Sequence, residues 1–144
     1  MTRKQTGEFK RKHPPDRQAA PAIVAAVRKK KRNNELSCAQ AENIAREQQV
    51  ALAEIGVTLD LLEIRIGKCQ LGLFGYKPAS KAVAPAPAVA PELETAIRKG
   101  LAGGRLPCTV AWTIAAALKL SRKKVAAACE ALKIKIKPCQ LGAF

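Results

Sequence analysis

The chain has 144 residues, a net charge of +15 and a sequence pI near 10.1. Aromatic residues make up only 3% of it and there is one histidine, His13, too few for a stacking platform or a nucleophile–base pair in a pocket. The first 20 residues lack the apolar core of a signal peptide, and the longest apolar-rich run, Cys108 to Leu118, is too short to span a bilayer. The chain therefore reads as a non-enzymatic protein without a cofactor or a membrane partner. Its expected place is the cytoplasm, with the nucleoid or the nucleus as the site according to the source organism.

Residues 1–20 are polar, basic and proline-containing, and predict a disordered basic arm, since they offer little apolar surface to offset ordering entropy. Residues 21–74 then repeat as residues 91–144 at a constant offset of 70, with 17 of 54 positions identical. The densest match is Leu62-x-Ile64-x-Ile66-x-x-Cys69-Gln70-Leu71-Gly72-x-Phe74 against Leu132-x-Ile134-x-Ile136-x-x-Cys139-Gln140-Leu141-Gly142-x-Phe144. Two small domains follow, 21–74 and 91–144. Residues 75–90, rich in Ala and Pro, predict a semi-rigid linker.

Each repeat predicts three helices. Pro21 and Pro91 suit a first helical position. Gly100 ends the first helix of repeat 2, and Asn33-Asn34 break that of repeat 1. The second helix spans Cys38 to Gln48 and Cys108 to Leu118, with Ala41, Ile44, Ala45 and their partners Ala111, Ile114, Ala115 on one inward face. Ser121 is a good N-cap for a third helix from Arg122 to Leu132, whereas Ala51 leaves the equivalent helix uncapped. Ile64-Arg65-Ile66 and Ile134-Lys135-Ile136 alternate with a strand period, and Cys-Gln-Leu-Gly is expected to pair back on them as a short β-ribbon.

Charge is unevenly placed. Residues 1–32 carry 11 basic and two acidic residues, 33–74 carry three and six, and 75–144 carry 12 and three. Clustered cations are the footprint of a polyanion binder, while a soluble basic protein with solvated faces is the plain alternative.

The run Ala111-x-x-Ile114-Ala115-x-x-Leu118-x-Leu120-Ser121-x-x-x-Val125-x-x-x-Cys129-x-x-Leu132-x-Ile134 resembles the helix-turn-helix superfamily of DNA-binding modules. With a helix before it and a ribbon after it, repeat 2 looks like a minimal winged variant. The resemblance implies a mainly α fold of two tandem helix-turn-helix domains, each with a short C-terminal β-ribbon, acting as a transcription regulator or an architectural protein. It further implies that the third helix enters the major groove of duplex DNA. On that reading Arg122, Lys123 and Lys124 meet base edges or phosphates, and Lys133, Lys135 and Lys137 add phosphate contacts. Repeat 1 departs from the pattern. It has Gln48-Gln49-Val50-Ala51 at the turn and the acids Glu54 and Asp60 on its third helix, so it is expected to scaffold, to form a homodimer or to bind a protein partner. Arg28, Lys29, Lys30, Lys31 and Arg32, with the arm, add affinity without sequence preference, and the charge of the arm suits RNA as well. Small three-helix domains of this pattern also serve as protein-interaction adaptors, which is the second reading.

Cys38 and Cys69 recur as Cys108 and Cys139; Cys129 is extra. Packing as small hydrophobes is one reading. A redox pair, or half a metal site, in each repeat is the alternative, giving thiol-redox or metal sensing, since Cys38 and Cys108 start helices, where thiolate is favoured, and the tail cysteine can fold back near them. No Cys-x-x-Cys or second histidine completes a zinc site, so no metal is expected.

Overall fold

The computed structural model describes residues 9–143; the first eight residues of the arm and Phe144, the last residue of the repeated tail, lie outside the described residues. The described chain is mainly α, with six α-helices and one two-stranded parallel sheet. It forms two compact units, Met1–Cys69 with Gln140–Phe144, and Gln70–Cys139. The frame 21–74 and 91–144 differs from this, because the tail after Cys69 belongs to the second unit and the tail after Cys139 to the first.

In the first unit, α1 (Pro21–Lys30) begins on proline and buries Ile23 and Val27. A short strand, β1 (Glu35–Ser37), leads into α2 (Cys38–Gln48), whose cap is Ser37 accepting from the Gln40 N–H at 3.2 Å. Gln49 takes a left-handed conformation, φ 55°, and turns the chain into α3 (Leu52–Leu61). Ala51 supplies no side-chain cap there. Cys38, Ala41, Ile44, Ile55 and Leu59 share the core with Leu36 and Ile66.

The strand β2 (Arg65–Gly67) corrects the expected ribbon. It pairs with β1 in parallel, Leu36 opposite Ile66, and not with the following Cys-Gln-Leu-Gly. A parallel pair needs a crossover of a dozen or more residues, and α2 and α3 supply it. Burial decides the partner, since Leu36 and Ile66 are 1% and 7% exposed and their pairing joins two inward-facing residues.

The arm also differs from the disorder its composition predicts. Phe9 is buried and opens a 3-10 turn, Phe9–Lys12. The N–H groups of Phe9 and Lys10 donate to the Glu63 carboxylate at 3.3 and 3.0 Å. Lys12 Nζ and His13 Nε2 reach Asp60 at 3.0 and 2.8 Å, and Arg17 holds both oxygens of Glu54 at 2.9 and 3.0 Å. Opposite charge and one buried ring together offset the ordering entropy that composition alone leaves uncompensated.

The second unit repeats the plan. The helix α4 (Pro91–Lys99) carries an Arg98–Glu94 pair at 2.9 Å and ends at Gly100. It is followed by α5 (Cys108–Leu118), a left-handed Lys119 at φ 57°, and α6 (Arg122–Ala131). Ser121 caps α6 by accepting from the Lys124 N–H at 3.1 Å. The sheet is reduced to one parallel bridge, Leu106 with Ile136.

The Ala/Pro segment is a packed element of this unit. Val83 is buried, Ala82 and Val83 donate to the Gly72 carbonyl at 2.7 and 3.1 Å, and Ala86 donates to the Ala127 carbonyl on α6 at 3.0 Å. Lys81 pairs with Glu130. Glu130 stands 70 residues after Asp60, so in each unit the segment before the first helix sets a lysine on the same position of the third helix. The repeating unit is thus longer than 54 residues.

Burial pushes the Cys129 thiol up from 9.0 to about 11, and the neighbouring Glu130 carboxylate adds to the rise. A thiol raised in the folded state loses stability as pH climbs, because the unfolded chain ionises first. We expect Cys129 to cost about 2–3 kcal/mol between pH ~9 and pH ~11. Urea unfolding at both ends of that window checks this; in Cys129→Ala the slope should be shallower by that amount.

Candidate nucleic-acid interface

The sequence places cations at both ends of the third helix in repeat 2, and the fold keeps them there. Lys123 and Lys124 lie in the first turn of α6 and are exposed. Lys133, Lys135 and Lys137 follow its C-terminus along the segment that bridges to Leu106, and all three are exposed. None of the five enters an ion pair among the described residues. A helix of ten residues is about 15 Å long, so α6 separates the two groups by roughly that distance. The turn before α6 adds an exposed cation that the motif reading passed over, Lys119.

Arg122 is placed otherwise than the resemblance implies. Its guanidinium lies over the Trp112 ring, 3.6 Å from the centroid, and donates to the Gln70 side-chain oxygen at 2.9 Å. Trp112 and Arg122 stand ten residues apart on different helices, so neither motif nor periodicity signals the stack. The indole N–H of Trp112 is buried without a partner. Because Trp112 is the only tryptophan, fluorescence reports on this contact alone. Arg122→Ala should shift the emission to longer wavelength and cost about 1 kcal/mol of stability, as read by urea unfolding.

In repeat 1 the equivalent surface is acidic and covered. Glu54 and Asp60 on α3, and Glu63 after it, hold Arg17, Lys12, His13 and the N–H groups of Phe9 and Lys10. Charge complementarity between residues 1–32 and 33–74 was the available signal for this docking. Arg28, Lys29 and Lys30 form the exposed last turn of α1; Lys31 is half-buried and Arg32 exposed, its backbone paired with Glu35.

Cys38, Cys69 and Cys108 are buried and Cys139 half-buried, all as thiols. Among the described residues, no group of three or more His, Cys, Asp or Glu side chains could hold a metal ion. No helix among them is long and apolar enough to cross a membrane. Comparison of the chain with protein-family models, with curated proteins and with solved structures found no match.

Proposed function

We propose that this chain binds duplex DNA through the second unit, as a transcription regulator or an architectural protein, with α5 and α6 acting as a helix-turn-helix. The carrying observation is the contrast between equivalent helices. The capped α6 is flanked by five exposed lysines, whereas α3 bears acids already engaged by the chain's own arm. The turn between the helices, with a left-handed residue at Lys119 and the Ser121 cap, has the short form such motifs use.

In this reading α6 lies in the major groove. Lys123 and Lys124 approach base edges or phosphates, and Lys133, Lys135 and Lys137 meet phosphates beyond the other end. The roughly 15 Å between the groups compares with a groove about 12 Å wide, so both backbones come within reach. Arg122 works behind the surface, holding Trp112 and the start of α6. The first unit contributes the exposed cations of α1 as a sequence-independent electrostatic patch. The arm cations Lys12 and Arg17 are spent on Asp60 and Glu54, so the arm serves repeat 1 first and nucleic acid, DNA or RNA, second.

The test is a titration of duplex DNA with the full chain at two salt concentrations and with two unrelated sequences. Binding at low salt that weakens steeply with added salt supports the reading; a preference between sequences favours a regulator and its absence an architectural role. No binding at low salt overturns it and favours the adaptor.

A further inference from the structure

The duplicated cysteines stand outside the DNA-binding reading, and the strand register brings them together. In the second unit Leu106 N–H donates to the Lys135 carbonyl at 2.9 Å, and Lys137 N–H returns to the Leu106 carbonyl at 2.8 Å, as a parallel ladder requires. Two residues on, Cys108 N–H donates to the Pro138 carbonyl at 3.1 Å. This is the same bond one step further along the ladder, with one extra residue on the second side, and it makes Cys139 the ladder neighbour of Cys108. The bond sets the backbone at the start of α5 beside the backbone entering Cys139, and a disulfide there asks for ~4.4–6.8 Å between Cα atoms. The first unit has the same register, Leu36 opposite Ile66 and Ser37 opposite Gly67; Cys38 follows Ser37 directly, and Cys69 follows Gly67 after one residue, Lys68, which takes the place of Pro138.

We propose that Cys108–Cys139 and Cys38–Cys69 are dithiol switches, each closing to a disulfide on exposure to a hydroperoxide. Cys139 is the half-buried member and takes the oxidant, while Cys108 is buried at the first position of α5 and resolves. The Cys139 thiolate attacks the peroxide, the O–O bond breaks, and Cys139 becomes a sulfenic acid with release of hydroxide or an alkoxide. The Cys108 sulfur then attacks the Cys139 sulfur and expels the sulfenic oxygen, which leaves as water with the thiol proton. The peroxide is reduced by two electrons and the dithiol is oxidised by two. Both members of the first pair are buried, so that pair reacts more slowly. Cys129, buried and held protonated, takes no part. The unit boundaries fall directly after Cys69 and Cys139. This proposal does not depend on DNA binding.

The experiment treats the reduced full chain with hydrogen peroxide, blocks remaining thiols, and maps peptides without reduction; trypsin leaves each of the five cysteines in a different peptide. The expected result is a Cys108–Cys139 crosslink with loss of two hydrogen masses, then Cys38–Cys69, with Cys129 alkylated only after unfolding. Cys108→Ser, which removes the resolving thiol, should leave Cys139 as a sulfenic acid trapped by dimedone. Four thiols surviving an exposure that oxidises glutathione in the same tube would overturn the proposal, as would crosslinks between other pairs.

Discussion

Replacing Lys123, Lys124, Lys133, Lys135 and Lys137 together by glutamine should lower affinity for duplex DNA at low salt by about 10²–10⁴-fold and flatten the log–log salt slope by up to about 4.5. All five side chains are exposed, so each substitution alters stability by less than about 0.5 kcal/mol, and the loss reads as binding rather than unfolding. Within the set the effects divide. Lys123 and Lys124 are placed to influence sequence preference, whereas Lys133, Lys135 and Lys137 should weaken all sequences alike. Glutamine at Arg28, Lys29 and Lys30 gives the smaller comparison, a slope change of at most about 2.7 and no change in preference. Fluorescence anisotropy of labelled duplexes over a salt series measures each of these. An unchanged slope in the five-lysine variant would remove the second unit from the interface.

The second large effect concerns Gly56. It is the one glycine inside α3, and glycine there costs about 1 kcal/mol relative to alanine. The reason lies in the tail of the first unit, where a Cβ on Gly56 would run into the backbone carbonyl of Leu141. Leu141 is 3% exposed, and Lys12 Nζ donates to the next carbonyl, Gly142, at 2.9 Å. Burial of such a leucine stabilises by about 1.5–3 kcal/mol. Gly56→Val should therefore either expel the tail or strain the helix, with a net loss of about 2–4 kcal/mol despite relief of the glycine penalty. A lower urea midpoint with faster amide exchange over residues 140–143 is the expected result. Unchanged exchange there would show that the tail does not depend on this contact. The equivalent position in the second unit is Ala126, which is fully buried.

Much of the fold was legible because local physical signals agreed. Pro21 and Pro91, the inward faces Ala41-Ile44-Ala45 and Ala111-Ile114-Ala115, and the Ser121 cap each act within a few residues, and α2 and α5 begin and end where their apolar spacing predicts. What was not legible is long-range pairing. Strand period shows that Ile64-Arg65-Ile66 is extended but carries no information on whether its partner precedes or follows it, and burial of Leu36 chose the parallel partner. A covalent repeat likewise cannot say which copy of Gln-Leu-Gly completes which unit, since both tails have nearly the same sequence. Composition failed for residues 9–17 and 81–86 because it counts the charges of a segment and ignores the acids waiting at Glu54, Asp60, Glu63 and Glu130. At the candidate interface, exposed lysines were readable as such. The employment of Arg122 by Trp112 was not, because it is a contact between helices.

On the proposed reading, duplex DNA lies on the second unit and not on α3. Lysine modification of the full chain, read residue by residue by mass spectrometry with and without a duplex, tests it most directly. Protection of Lys123, Lys124, Lys133, Lys135 and Lys137, with Lys12 shielded equally in both samples by Asp60, is the predicted result. Protection confined to lysines of the first unit, with those five labelled as in the free protein, would contradict it.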